Sequence, residues 1–330
     1  MAVYKDIGSL PADIAQTLKG HRVTRSLRRQ SRVYADTTDF TALDYGDIVH
    51  ASDRYFLITS YTKEGRFGVD DQIQPWVPKV EDLATGKSYI LKLVFYETFD
   101  MHLGPFTIPC YRSPEKESRI LELVQGRPNF MQGTTLQDEC GNLLRVINPV
   151  SGIRLDKAIH QSETLHPEYF YKEFPGILEQ FLECILAIGY LHENGFRHGD
   201  IRRDHIFVDR NTGQYSWIDF DYDFYLPEKP FALDLYELGN ILIYLVGKGD
   251  YNPREILLHP DMGKSVLDSL DPSDFSIISR NRLVNLKKIF PYIPVGLNNI
   301  LLHFSSGSEV FYENVYEFYD DVAGVLGELK

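Results

Sequence analysis

His198-Gly199-Asp200-Ile201-Arg202-Arg203-Asp204-His205-Ile206-Phe207-Val208-Asp209 is the stretch that decides the reading, with Ile218-Asp219-Phe220-Asp221 close behind it. Ile206 to Val208 reads as a strand, Asn211-Thr212-Gly213 as a turn, and Tyr215 to Phe220 as a second strand. A tight hairpin with carboxylates at its strand ends aims acids into one cleft. Asp200, His205 and Asp219 are therefore three metal- or proton-handling side chains carried by one short segment. Phosphoryl transfer needs that layout: one carboxylate handles the nucleophile's proton, and others hold Mg²⁺ against phosphates.

Working outward, composition bounds the rest. The 330 residues suit one large two-lobed domain or two modest ones. An apolar fraction of 43% and a charged fraction of 25% are ordinary for a globular chain. The net charge of −13 argues against nucleic acid as the main partner. Cys110, Cys140 and Cys184 are too few and too widely spaced for a metal-ligand pattern. No apolar run is expected to span a membrane, and the N-terminus lacks a secretory pattern, so the chain reads as cytoplasmic.

Residues 1–44 read as an N-terminal extension. Pro11 to Leu18 predicts a short helix, followed by a basic cluster of Lys19, His21, Arg22, Arg25, Arg28, Arg29 and Arg32. That cluster is either an arm for an anion, substrate or protein partner, or an arm pinned to the acidic body. From Gly46 onward the pattern is β-rich. Arg54 to Tyr61 predicts a strand that leads to Lys63-Glu64-Gly65-Arg66-Phe67-Gly68, a phosphate-approaching glycine loop or a plain hairpin turn. Val69 to Trp76 reads as a polar insertion. Two strands then flank Thr85-Gly86, and Lys92 sits inside the second, among Ile90, Leu91, Leu93 and Val94. A buried ammonium there requires a partner, unless the strand is an edge and the lysine snorkels.

Ser113-Pro114 predicts a helix start. Glu117 shares the apolar face of Ile120, Leu121 and Val124 and is the partner expected for Lys92, with Glu115 and Glu122 as fallbacks. Strands near 131–137 and 143–147 follow, then Asn148-Pro149-Val150. A short helix is expected at Leu155 to His160, a long one from Pro167 to Asn194, and another around Ala232 to Leu242.

Taken in order, these segments resemble the protein kinase-like superfamily from about Gly46 to the C-terminus. The loop at His198 to His205 is similar to H-R-D-x-x-x-x-N, and Asp219-Phe220-Asp221 stands where that family has D-F-G. Thr85-Gly86 to Lys92 is similar to T-G-x-x-Y-x-x-K, Glu117 to Val124 to E-x-x-I-L-x-x-V, and Leu191 to Asp200 to L-H-x-x-G-x-x-H-x-D. Asp234 to Leu242 is similar to D-x-x-x-L-G-x-x-L. The resemblance implies an α+β, bilobal kinase-like fold, with a small antiparallel N-lobe at 45–147 carrying one helix and a mainly helical C-lobe at 148–330.

It also implies ATP with Mg²⁺ or Mn²⁺, and a hydroxyl acceptor on a protein or a small molecule. Lys92 would lie on the phosphates and Glu117 would hold it. Gly65, Phe67 and Gly68 would cover the phosphates, while Asn148 C=O and Val150 N–H would take the adenine. Asp200 would orient or deprotonate the acceptor hydroxyl, with Arg202 facing the transferred phosphate. Asp219 and His205 would ligate metal, with Asp221 as a further ligand.

The departures are specific. His205 replaces an asparagine, and imidazole suits a softer ion such as Mn²⁺ better than Mg²⁺; it could also face a substrate oxygen or mark lost catalysis. Gly199 replaces the arginine that pairs with a phosphorylated activation loop. Lys63 replaces the first glycine. Only about 15 residues separate Asp219 from Asp234, so the A-P-E segment and the peptide platform are missing. A Gly-Asp loop is usual in aminoglycoside- and choline-type kinases, and a histidine at this place occurs in lipopolysaccharide kinases. The second function class is a pseudokinase, a nucleotide-binding or scaffold module.

Overall fold

The computed structural model describes residues 4–66, 69–103, 106–259 and 262–329. The chain divides into two compact units: residues 1–97 with 112–150, and residues 98–111 with 151–330.

The first unit is built on a seven-stranded sheet. In spatial order the strands are Val33–Tyr34, Ile48–Ala51, Arg54–Arg66, Val69–Asp82, Ser88–Lys92, Leu143–Ile147 and Gly133–Gln137. All pairings are antiparallel except the first, where Val33 and Tyr34 run parallel to Ile48 and Val49. One sheet face buries Val49, Phe56, Ile58, Val80, Leu91 and Leu144. The other buries Ile48, Leu57 and Leu83 against Ile14 and Leu18 of the helix Ala12–Gly20. The first forty-four residues, set apart in the sequence as an extension, thus contribute a strand and a core helix to this unit. Within the basic cluster, Arg29 and Arg32 both ion-pair with fully buried Asp47, at 2.7 and 2.6 Å.

Two expectations change here. Val69 to Trp76 is no insertion but the first half of a strand running to Asp82. Gly65 falls within the strand Arg54–Arg66, while Phe67 and Gly68 lie outside the described residues. The turn at Thr85-Gly86 closes on Asp82, whose Oδ1 accepts from the Ala84 and Thr85 N–H groups. Gly86 takes φ +68, a conformation open to glycine at little cost. Ser113 caps the helix Pro114–Leu123 by accepting from Lys116 N–H, with Pro114 at its first position.

The second unit is mainly helical. The segment expected as one helix from Pro167 is two, His166–Lys172 and Phe174–Glu193. The second is long and apolar enough to cross a bilayer, contrary to the expectation from sequence, but its Leu178, Phe181, Ile185 and Ile188 are buried in the unit. The helix Ala232–Gly247 buries most of its residues as well. Two small sheets complete the unit. Ile153–Arg154, Ile206–Val208 and Tyr215–Trp217 form one; Tyr222–Phe224, Phe106–Arg112 and Thr98–Leu103 form the other. Sequence reading found no strands at 98–112. Six antiparallel pairs, Thr98 with Tyr111 through Leu103 with Phe106, define that hairpin.

Candidate active site

The quoted loop is mounted on a hairpin. Ile206, Phe207 and Val208 pair with Trp217, Ser216 and Tyr215. The turn is fastened by Asp209, whose Oδ1 accepts from the Asn211 and Thr212 N–H groups, and Gly213 takes φ +73. The Ile218 N–H donates to the His205 carbonyl, which brings the two ends of the hairpin together at His205 and Asp219.

A second anchor holds the loop from beneath. Asp234, buried near the start of the helix Ala232–Gly247, accepts from the His198 N–H at 2.7 Å and the Gly199 N–H at 3.0 Å. His192 Nε2 lies 3.1 Å from the same carboxylate. Burial opposes the Asp234 charge, but His192, His198 and the Gly199 N–H outweigh it and hold the carboxyl below its usual range. The His198 ring is fully buried, edge-on to Trp217 and Phe220, and its Nδ1 accepts from the Asp200 N–H. The backbone of His198 to Asp200 is thus fixed by one carboxylate and one imidazole.

Among the described residues, Asp200, His205 and Asp219 form a group whose ligating atoms all lie within 4.8 Å of one another. His205 is nearly buried, and Asp200 and Asp219 are half-buried. His205 Nδ1 is 2.8 Å from the Asp200 carbonyl oxygen. A carbonyl only accepts, so Nδ1 carries the proton and Nε2 is directed to the Asp219 side, 3.8 Å from Oδ2. This outer-shell hydrogen bond fixes the tautomer in which Nε2 can ligate. Burial works against a charged imidazole here. The carboxylates of Asp200, Asp219 and Asp204 more than offset it, and the His205 pKa is raised.

Two carboxylates and one imidazole form a mixed oxygen and nitrogen donor set, which fits Mn²⁺ and admits Mg²⁺. Asp219 itself has φ +69, a conformation that a non-glycine residue holds at about 1–3 kcal/mol and that clusters at functional sites. Asp221 is buried and is not one of the three grouped ligands. Arg202 forms a bidentate pair with Asp204, at 3.0 and 2.7 Å.

In the first unit, Lys92 Nζ donates to Glu117 Oε1 at 2.7 Å, and both side chains are buried. Arg145 was not singled out from the sequence. Its Nε donates to Glu117 Oε2 at 3.1 Å, and its remaining nitrogens reach the Leu93 and Leu143 carbonyls. Its signal was present: Leu143-Leu144-Arg145-Val146-Ile147 places a cation in an apolar strand, as Lys92 is placed in its own. Glu115 is instead exposed and accepts from Tyr96, and Glu122 is exposed. Asn148 is exposed and donates its N–H to the Gln132 carbonyl; Val150 is half-buried.

No protein-family model matches the chain, and no curated protein matches it. Among solved structures it is similar to the kinase domain of PknI from Mycobacterium tuberculosis, with a TM-score of 0.46 and 14% identity over 87% of this chain and 100% of that one. The architecture itself, a largely antiparallel sheet unit and a mainly helical unit, is the α+β arrangement expected from the sequence. The chain carries in order a lysine strand, a glutamate helix, a hairpin-mounted acidic loop, and a helix aspartate that caps the loop backbone.

After Asp221 the chain passes directly into a strand. The strand Tyr222–Phe224 pairs at once with the hairpin strand Phe106–Arg112. Asp223 accepts from Arg197 at 2.8 Å and from the Tyr111 hydroxyl at 3.3 Å, and the Arg197 guanidinium lies over the Phe224 ring. A fixed carboxylate, Asp223, is thus built into the segment that exits the loop.

Proposed function

We propose that the chain is an ATP-dependent phosphotransferase that moves the γ-phosphate to a hydroxyl group. The observation that carries this reading is the convergence of Asp200, His205 and Asp219 on one point, with the loop backbone fixed by Asp234. A structural hairpin has no need of two carboxylates and an imidazole within ligating reach, nor of an aspartate held at positive φ.

In this reading Asp219 and His205 Nε2 hold a divalent cation, and Asp200 orients the acceptor hydroxyl and takes its proton. The cation, when bound, neutralises phosphate charge. Asp200 needs no raised pKa, because positioning dominates a loose phosphoryl-transfer transition state. Arg202 supplies a guanidinium toward the transferred phosphate, a role that requires it to exchange its hold on Asp204. In the first unit Lys92 is held extended and charged by Glu117 and serves the nucleotide phosphates; Gly65, Phe67 and Gly68 approach them through backbone. Asn148 and Val150 serve the adenine. Asp221, two residues beyond Asp219 and buried, is a further carboxylate for the metal. A hydroxyl acceptor and a cytoplasmic setting complete the proposal.

The test is release or transfer of γ-phosphate from ATP by the wild type in Mg²⁺ and in Mn²⁺, beside Asp200→Ala. Turnover in the wild type that falls by about 10³-fold in the variant supports the assignment. An unchanged rate removes Asp200 from its role, and ATP binding without turnover in either metal leaves a nucleotide-binding module.

A further inference from the structure

A cavity of about 300 Å³ opens beside the loop, entirely within the second unit. The four residues that follow Asp200 in the chain, Ile201 to Asp204, form one wall. Glu237 and Asn240 of the helix Ala232–Gly247 form another, and Asp156 and Arg282 complete it. Three arginines, Arg202, Arg203 and Arg282, therefore line one small space with three acidic residues, Asp156, Asp204 and Glu237, of which Asp204 is held bidentately by Arg202. Two of the arginines are anchored from behind by one carboxylate. Arg203 ion-pairs with Asp250 at 2.6 Å and Arg282 with the same residue at 3.2 Å. Arg282 also donates to Asn240 Oδ1 at 3.1 Å, and Asn240 Nδ2 donates to Glu237 Oε2 at 3.0 Å.

The chain from Asp250 through Arg282 and Asn240 to Glu237 sets a carboxyl group on the cavity wall at the end of a fixed polar network. Glu237 keeps part of its surface open to the cavity it lines. Desolvation, opposed by Asn240 and Arg282 and assisted by the charges of Asp200 and Asp234, raises its carboxyl to about 7, so the cavity lies within electrostatic reach of the proposed base.

We infer that this cavity receives the phosphoryl acceptor, and that the acceptor is a small polyol bearing an anionic group, a carboxylate or a phosphate. The inference rests on the phosphotransferase reading above. Guanidiniums match planar carboxylate and phosphate oxygens in two-point contacts. Glu237, Asn240 and Asp156 offer oxygens that accept from hydroxyl groups. Among the wall residues only Ile201 and Ile241 are apolar, so the cavity suits hydroxylated ligands and not fatty or aromatic ones. Its volume lies at the small end of ligand sites, fitting a single sugar-sized molecule. Arg282 anchors the anion and Glu237 orients the hydroxyls, which makes both specificity-determining residues.

The experiment measures binding by calorimetry without nucleotide, using glucuronate, glucose 6-phosphate and uncharged glucose on the wild type, Glu237→Gln and Arg282→Met. Glu237→Gln is nearly isosteric, so it tests the carboxyl without opening a hole. The expected result is binding of at least one anionic sugar, little binding of glucose, and affinity lower by about tenfold or more in each variant. Glucuronate and glucose 6-phosphate distinguish the carboxylate from the phosphate. Equal affinities in all three proteins, or no binding of any of the three probes, overturns the inference. ATP–Mn²⁺ binding is measured on the same samples. If it is retained while the sugars fail, the cavity assignment falls and the phosphotransferase reading stands. If the sugars bind and ATP–Mn²⁺ does not, the phosphotransferase reading falls instead.

Discussion

Glu117→Ala should cost the first unit far more stability than Lys92→Met, although the two residues share one hydrogen bond. Glu117 is fully buried and is bonded by two buried cations, Lys92 at 2.7 Å and Arg145 at 3.1 Å. Removing the carboxylate strips a buried ammonium and a buried guanidinium of the counter-charge they share, a cost of about 3–5 kcal/mol for a broken buried pair. Removing the ammonium leaves Glu117 still bonded to Arg145. The loss of the ammonium's charge-assisted hydrogen bond to Glu117 is partly offset by burial of the methionine side chain, so this part of the cost is about 1–2 kcal/mol. The assay is urea unfolding combined with hydrogen exchange of the amides in 88–92, 114–123 and 143–147, which report on the strands and helix that carry the triad. Costs equal within about 0.5 kcal/mol would refute the three-member account and make Arg145 a bystander. Both variants should abolish phosphate release, so stability and activity separate: Lys92→Met is folded and inactive.

Three further outcomes are expected. Burial lowers the His166 pKa to about 4, with Lys248 adding to the effect. The neutral ring lies within hydrogen-bond reach of the Val246 carbonyl and the Tyr292 hydroxyl. Its contribution to stability is therefore complete above about pH 6.5 and is lost as pH falls toward 4; roughly 2 kcal/mol should disappear over that window after solvent screening, and His166→Gln should flatten the loss in pH-dependent thermal melts. Asp234→Asn keeps the side-chain shape but removes the charge that receives two loop N–H groups, so it should cost about 2 kcal/mol and speed exchange at the His198 and Gly199 amides. His205→Asn exchanges nitrogen for amide oxygen among the ligands and should move metal preference from Mn²⁺ toward Mg²⁺ by about tenfold, read from ATP-dependent thermal shifts in each metal.

What was legible in the sequence was what periodicity or charge balance forces. Glu117 lay on the apolar face of a capped helix, and Lys92 lay in an apolar strand; two buried opposite charges need each other, and the structure joins them. Asp234 was legible only through the resemblance of Asp234 to Leu242 to the D-x-x-x-L-G-x-x-L helix, since helix periodicity does not say what its carboxylate caps. Arg145 carried the same signal as Lys92 but was read only as part of a strand. The strands Thr98–Leu103 and Phe106–Arg112 pair locally and went unread; the third strand of their sheet, Tyr222–Phe224, lies more than a hundred residues away, and no local pattern encodes that contact. The polar 69–76 segment was misread as an insertion because a long two-stranded ribbon need not bury either face, so alternation is weak. Glu237 went unnoticed for a different reason: on a helix pattern it occupies an ordinary polar position, and only the cavity beside Ile201 to Asp204 gives it meaning.

The central claim, that Asp219 and His205 Nε2 together hold the cation that accompanies the nucleotide, is tested most directly by pulsed electron paramagnetic resonance of Mn²⁺ with ATP on the wild type and on His205→Asn. The account predicts phosphorus and imidazole-nitrogen couplings to the same manganese in the wild type, with the nitrogen coupling lost and the phosphorus coupling kept in the variant. Wild-type protein that binds no Mn²⁺–ATP, or binds it without nitrogen coupling, would contradict it.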